Sequence, residues 1–338
     1  MLDLSSTHQR AACLTADGSP GRFSVGRYPA IVTPLPQADL RVLSVHAHPD
    51  DEASKGAATM ARYGSEGVRT VLVTCTGGEA GDILNPAADT DDVRADLTAV
   101  RRRELDEAVR IIGYDALYLL GYRDSGMADT EPNAHPDNFA NADLDEAVGR
   151  LVEIVRAEQP QVLVGYARDR VYAHPDHVRV HEITVLAFER AGDPDWYPEL
   201  GAPWQPSKLY YTSGFTKERI QSMHDWFVEQ GEKSPFVKWI ERIEADALED
   251  TEAEAEAGDV TTTRIDVRDF IDVGRAALLA HRTQVAPDSF FFRVPLEVQQ
   301  ERHPWEEYVL ARTLVDPGRV DGEYETDLFA GIRVAASS

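Results

Sequence analysis

Short apolar runs alternate with amphipathic stretches through the first half of the chain. Arg41-Val42-Leu43-Ser44-Val45 reads as a buried strand, and residues 52–66 follow with helical periodicity, Ala57, Ala58, Met60 and Ala61 on the apolar side. Val71-Leu72-Val73-Thr74-Cys75 is a second strand. Residues 92–112 form a long amphipathic helix carrying Leu97, Val100, Leu105, Val109 and Ile112 on one face. Ala116-Leu117-Tyr118-Leu119-Leu120 is a third strand, residues 143–157 are helical, and Gln161-Val162-Leu163-Val164-Gly165 is a fourth strand. Alternation of this kind predicts βαβ units: a mostly parallel sheet with helices on both faces. Ligands of such sheets bind outside the carboxyl ends of the strands. The candidate chemistry therefore belongs just after Val45, Cys75, Leu120 and Tyr166.

Past residue 190 the pattern loosens. Lys208-Leu209-Tyr210-Tyr211 and residues 262–267 read as strands, and 217–230 and 269–281 as helices. Residues 244–259 hold eight acidic side chains and no basic one, which predicts a solvated face or loop. The length of 338 residues suggests two domains or one domain with an appendage. The expected division is a loosely ordered extension over 1–39, a metal-binding core over 40–190, and a smaller α+β portion over 191–338 that sets specificity.

A net charge of −25, from 59 acidic and 34 basic residues, argues against nucleic acid and against anionic lipid as partners. No apolar stretch reaches the roughly 18 residues of a membrane span. The N-terminal stretch lacks the basic start and apolar run of a secretory signal. Cys13 and Cys75 are the two cysteines, and such sparse usage fits a reducing cytoplasm.

Two segments concentrate metal-binding chemistry. His46-Ala47-His48-Pro49-Asp50-Asp51-Glu52 follows the first strand directly. If a helix begins there, His48 and Asp51 point the same way. An imidazole nitrogen plus a carboxylate oxygen suits Zn²⁺ or Fe²⁺, with Asp50 beside the metal to take a proton from an activated water. The same residues also suit an acidic helix N-terminus that complements the macrodipole. Tyr172-Ala173-His174-Pro175-Asp176-His177 repeats the His-Pro-Asp pattern after the fourth strand, and His177 supplies a third ligand. Two histidines and one carboxylate leave a position open, as a catalytic metal requires. His135-Pro136-Asp137 reads as structural, and His181, followed by Glu182, as packing beside the site. Gly77-Gly78-Glu79-Ala80-Gly81 lacks the spacing of a dinucleotide fingerprint and reads as a loop lining the site. Ser125 has no nucleophile-elbow context.

Ala47-His48-Pro49-Asp50-Asp51-Glu52 together with His174-Pro175-Asp176-His177 resembles the signature of the PIG-L/LmbE-like zinc N-deacetylases. Thr76-Gly77-Gly78-Glu79, Gly81-Asp82-Ile83-Leu84-Asn85-Pro86, Asp124-Ser125-Gly126-Met127, residues 204–211, Ala280-His281-Arg282-Thr283-Gln284 and residues 325–331 are similar to the mycothiol S-conjugate amidases within that superfamily. The resemblance spans about residues 40–333. It implies a Rossmann-like α/β fold on which His48, Asp51 and His177 bind zinc and Asp50 is the general base. His174 would stabilise the tetrahedral intermediate and help protonate the leaving amine, with Asp176 orienting it and Tyr172 polarising the carbonyl. Lys55, Arg101, Asp124, Glu79 and His281 would face the substrate. The implied reaction cleaves a pseudo-disaccharide thiol conjugate to glucosaminyl-inositol and a mercapturic acid. Deacetylation of N-acetylglucosaminyl-inositol is the alternative, and a non-catalytic metal-binding partner protein the alternative of another class. One departure stands out: Arg168-Asp169-Arg170-Val171 replaces the Asn-Gly-Gly usual before the tyrosine. This bulkier, more basic loop suits a paralogue acting on a natural-product conjugate.

Overall fold

The structure, a computed structural model, describes residues 39–167, 174–214, 216–241, 261–318 and 322–333. The expectations for residues 1–38, for the Arg168–Val171 loop, for Tyr172 and for the 244–259 acidic run lie outside those residues.

Seven strands form one sheet in the order β3-β2-β1-β4-β5-β7-β6. β1 (Arg41–His46), β2 (Arg69–Thr76), β3 (Ala116–Tyr122), β4 (Val162–Tyr166) and β5 (Lys208–Thr212) pair in parallel. β6 (Thr263–Asp266) and β7 (Trp305–Thr313) add an antiparallel edge. This is the mostly parallel α/β sheet that the alternating pattern predicts, and the strands beyond residue 190 extend the same sheet. β7 escaped the sequence reading because Glu306, Glu307 and Arg312 interrupt its apolar run, leaving only Tyr308-Val309-Leu310 as a signal.

Strand residues alternate between two apolar layers. Val42, Leu72, Val162, Val164 and Tyr210 face one layer, with the helices α2 (Ala57–Ser65) and α4 (Leu97–Ile112). Leu43, Val45, Val71, Val73, Leu163 and Leu209 face the other, with α5 (Leu144–Glu158) and α6 (Pro175–Arg190). Burial on both faces explains why these strands read as continuous apolar runs.

Two expected helices are broken by local chemistry. The 52–66 segment divides into α1 (Asp51–Ser54) and α2 at Gly56, whose φ of +95° no helix accepts. The 92–112 segment divides into α3 (Asp91–Ala95) and α4 at Asp96, whose carboxylate accepts the Ala99 amide hydrogen as an N-cap. α7 (Lys217–Glu229) and α8 (Ile271–Ala280) match expectation closely.

The C-terminal segment is tied to the sheet by a buried polar cluster. Lys208 on β5 is fully buried and donates to Glu325 and to the Ala330 carbonyl. Glu325 also accepts from Tyr210 and Thr263. Burial pulls the Lys208 pKa down, and the Glu325 charge opposes that pull. Removing one member strands the other charge. Glu325→Ala should cost on the order of 3–5 kcal/mol, read as a lowered midpoint in urea unfolding. The double replacement Lys208→Met with Glu325→Leu should recover most of it, and an unchanged midpoint for Glu325→Ala would show that the pair stabilises nothing.

Candidate metal and catalytic site

The strand order reverses at β1, which is flanked by β2 on one side and β4 on the other. Two crossovers diverge there, and a crevice opens at the carboxyl ends. The segments carrying His48 and His177 leave these two strands and meet in it.

After β1 the chain turns tightly through Pro49. Asp50 caps α1 with φ +117°, a left-handed backbone that a non-glycine residue rarely adopts. Two side chains hold it there. Its amide donates to Glu52 Oε2 at 2.9 Å, its carboxylate accepts from Arg101 at 3.0 Å, and Arg101 also donates to the Pro49 and Gly78 carbonyls. Glu52 is itself fixed by His281, whose Nε2 lies 2.6 Å from Glu52 Oε1 with both side chains fully buried. Pro49 thus precedes the helix instead of occupying its first turn. His48 and Asp51 meet across that turn and not on a helix face, the His48 amide donating to Asp51 Oδ2 at 3.0 Å.

After β4, Pro175 occupies the first position of α6 and His174 caps it, its Nδ1 accepting the Asp176 amide hydrogen at 3.2 Å. With Nδ1 as acceptor, the neutral ring carries its proton on Nε2. Asp176 is fully buried. Its carboxylate accepts from the Ser125 amide at 3.0 Å and from the Ser125 hydroxyl, and sits 3.2 Å from His48 Nε2. Asp124 lies 3.6 Å from the same nitrogen and accepts from the Gly126 and Ala80 amides. On the other edge of the His48 ring, Nδ1 is 3.3 Å from Asp51 Oδ2, which in turn is 3.4 Å from His177 Nε2.

Titration follows from this crowding. Burial alone would depress the His48 pKa, but hydrogen bonds to Asp124, Asp176 and Asp51 outweigh it and raise the pKa well above 6.5. Burial would raise Asp51, yet Lys55 and His177 hold it well below the usual carboxylate range. Asp124 is likewise lowered, the His48 bond and charge exceeding the cost of burial. Asp50 moves upward through burial, with Arg101 opposing. His174 falls to about 4 through burial and the neighbouring His48. Of the three buried carboxylates around this imidazole Asp51 pairs with Lys55, while Asp124 and Asp176 rest on His48 and neutral donors, a setting in which a bound cation would be stabilised.

Two donor sets converge within 4.8 Å: His48, Asp51 and His177, and His48, Asp124, His174 and Asp176. A cleft of about 440 Å³ opens over them, lined among others by Asp50, Lys55, Arg101, Asp124, Met127 and Gln284.

The sequence-expected residues divide by where the structure places them. His48, Asp50, Asp51, Lys55, Asp124, His174 and His177 line the cleft. Arg101 reaches its wall, but its guanidinium is engaged as the clamp on Asp50, so its position is not that of an open substrate contact. Glu79 accepts the Asp124 amide hydrogen at 3.1 Å, and His281 is fully buried against Glu52; neither is among the residues that line the cleft. Asp176 supports from beneath. Tyr172 is outside the described residues. The sequence shows Ser125 inside the Asp124-Ser125-Gly126-Met127 motif and without nucleophile context, but not that its hydroxyl holds Asp176, a contact across 51 residues. Sequence reasoning also missed the role of Glu52, although the acidic run displayed the residue. His181 Nδ1 donates to the Tyr166 carbonyl at 2.9 Å, in keeping with a packing role.

With the geometry in place, known proteins can be compared. The pattern of the family described as PIG-L, GlcNAc-PI de-N-acetylase, matches residues 43–188. The chain is 44% identical over 300 residues to the mycothiol S-conjugate amidase of Streptomyces coelicolor, covering 87% of this chain and 98% of that protein. The chain belongs to the PIG-L family. It is also 39% identical over 311 residues to the 1D-myo-inositol 2-acetamido-2-deoxy-alpha-D-glucopyranoside deacetylase of Streptomyces avermitilis, covering 87% of this chain and 98% of that protein. The PIG-L fold recurs in N,N'-diacetylchitobiose deacetylase from Pyrococcus horikoshii, at a TM-score of 0.53 and 18% identity, covering 80% of this chain and 83% of that one. Within this family member the 43–188 match covers β1 to α6, the strands and helices that carry both metal-binding segments.

Gly78 couples the site to α4. Its φ is +69°, and a Cβ there would fall 2.3 Å from the Arg101 guanidinium. Gly78→Ala should destabilise by about 1–3 kcal/mol and lower turnover, because Arg101 can no longer hold Asp50. Gly67→Ala is the control: its φ is +85° and nothing lies within 4 Å. Urea unfolding and turnover of the two variants separate backbone strain from the clash, and equal losses in both would show that the Arg101 contact is immaterial.

Proposed function

We propose that this PIG-L family member is a zinc-dependent amide hydrolase acting on mycothiol S-conjugates, releasing glucosaminyl-inositol and an N-acetylcysteine S-conjugate. The observation that carries the reading is the pairing of a three-donor cluster with two proton-handling groups, Asp50 and His174, under one cleft large enough for a pseudo-disaccharide with a bulky acyl group. The similarity to the Streptomyces amidase supports the choice of substrate.

Of the two donor sets, His48, Asp51 and His177 suit the ion better. Tetrahedral zinc ligands at about 2.1 Å lie about 3.4 Å from one another, and the Asp51 oxygen is 3.3 and 3.4 Å from the two histidine nitrogens. His48 then ligates through Nδ1 while Nε2 donates to Asp176, the carboxylate–histidine arrangement that fixes a ligand's tautomer. The other set would draw on Asp176 and Asp124 oxygens already accepting from Ser125, Gly126 and Ala80. Ferrous iron suits the same donors.

Bound there, the ion supplies a Lewis acid that polarises the carbonyl and lowers the pKa of the hydrolytic water. Asp50 accepts the proton of the attacking water, its carboxylate aimed by Arg101. His174 would donate a hydrogen bond from Nε2 to the charge developing on the carbonyl oxygen and steady the leaving amine, which takes up the proton that Asp50 accepted from water. Tyr172, assigned from its motif, adds a second donor to that oxygen. Lys55, whose ammonium pairs with Asp51 Oδ1 at 2.5 Å, and Asp124 both line the cleft that the substrate would enter.

The second reading is deacetylation of N-acetylglucosaminyl-inositol, favoured by the similarity to the Streptomyces avermitilis deacetylase. A paired assay on zinc-loaded protein separates them: a mycothiol S-conjugate in one arm and N-acetylglucosaminyl-inositol in the other, free amine measured in both. The conjugate should turn over with the higher kcat/KM, and preference for the acetylated sugar would replace the amidase reading with the deacetylase one. Asp50→Asn should lower kcat by about 10²–10⁴ with zinc uptake retained. Asp176→Asn should weaken zinc binding about 10–100-fold, measured by competition with a chromogenic chelator. Full affinity in that variant would remove Asp176 from the ligand's support.

A further inference from the structure

A second cavity adjoins the catalytic cleft, and nothing in the reaction described above uses it. Its volume is about 100 Å³, and Ile220, Met223, Ile271, Phe292 and Val294 supply much of its apolar lining. Ser54 and Leu278 line both this cavity and the cleft, so they form the wall between the two. Ser54 ends α1, and its hydroxyl donates to the Asp51 carbonyl at 3.3 Å. Ser54 therefore stands three residues, one helical turn, from Asp51 of the donor cluster.

Charge within the cavity is already balanced. Arg219 interacts with Glu306 and Glu307. Arg275 donates to the Val294 carbonyl at 3.0 Å and the Phe292 carbonyl at 3.3 Å, and its guanidinium lies over the Phe292 ring. A charged ligand group would compete with these contacts, whereas an uncharged apolar group gains by leaving water. Size sets a second limit. An apolar cavity of about 150 Å³ takes up benzene, so this one suits a branched aliphatic group or at most a single ring.

Position supplies the third argument. An amide cleaved at the cluster presents its acyl carbonyl beside Asp51. In an S-substituted cysteinyl group the sulfur is three bonds from that carbonyl carbon, a reach of roughly 4 Å at ordinary bond lengths. The sulfur thus extends beyond the end of an acetyl group, and Ser54 and Leu278, which line both spaces, mark where its substituent would pass from cleft to cavity. We propose that this cavity is the acyl-side specificity pocket of the enzyme, taking an uncharged apolar substituent on the substrate sulfur, up to about one ring in size. The inference rests on the amidase reading and adds the class of conjugate preferred.

The test compares S-methyl, S-benzyl and S-carboxymethyl mycothiol as substrates of the zinc-loaded enzyme. S-benzyl should exceed S-methyl in kcat/KM by about tenfold, mostly through KM, and S-carboxymethyl should show no such gain. Val294→Phe narrows the cavity and should collapse the benzyl-to-methyl ratio toward one. Met223→Ala widens it and should move the preference to an S-naphthylmethyl conjugate. This second variant keeps the test open if the larger side chain at 294 prevents folding. Calorimetric binding of S-benzyl- and S-methyl-N-acetylcysteine, the product halves, should follow the same order. A wild-type ratio near one, or a ratio unmoved in both variants, overturns the pocket and leaves the amidase reading standing. Turnover of N-acetylglucosaminyl-inositol with no turnover of any conjugate overturns the amidase reading, and the pocket assignment with it.

Discussion

The hydrogen bond between His48 Nε2 and Asp176 joins residues 128 apart in sequence, and the site is organised around it. It forms because β1 and β4 run parallel and adjacent, Leu43 beside Leu163 and Ser44 beside Val164. The two His-Pro-Asp segments therefore leave the sheet at the same edge. Once Asp176 sits against one nitrogen of His48, the other nitrogen faces Asp51 and His177. The imidazole then lies between carboxylates on both edges. Burying that much negative charge is costly unless a cation is present, so the fold and the chemistry of a divalent ion support one another.

Around this contact the chain uses backbone amides and short polar side chains to hold its carboxylates. Ser125 fixes Asp176, the Gly126 and Ala80 amides fix Asp124, and Glu79 accepts the Asp124 amide hydrogen. Each contact immobilises a carboxylate before substrate arrives, which is what a preorganised site requires. Asp50 shows the same principle under strain. Its left-handed backbone is a local cost, offset by Glu52, His281 and Arg101 acting from three different elements. Strain of this kind at the residue proposed as general base holds its side chain where a proton transfer would need it.

The strands beyond residue 190 do more than widen the sheet. β5 pairs with β4, and β7 inserts between β5 and β6, bringing residues 305 and 306 beside α1 and α8. The apolar cavity arises where these elements converge with α7. The PIG-L family match covers the edge that carries the donor cluster, and the C-terminal elements place a distinct chemical environment beside it. A scaffold can in this way keep one reaction while altering which acyl group it receives.

Much of the fold was legible in the sequence because parallel strands buried on both faces read as plain apolar runs, and helix boundaries follow short-range rules. Asp96 and Asp143 cap helices, and Gly113 ends one, within a few residues of where periodicity stops. The donor types were equally legible: His48, Asp51, His174 and His177 sit in two compact motifs. What only the tertiary structure decided were relations over long range. Arg101 and His281 are charged residues in a site-bearing chain, yet one is a clamp and the other a buried prop, since both spend their donors on Asp50's support. Ser125 acquires its role only because Asp176 arrives beside it, and β7 becomes a strand only because β5 and β6 flank its polar sequence. Residue type and local spacing are written along the chain. Which carboxylate meets which imidazole depends on strand order, and that order is set by burial of the whole sheet.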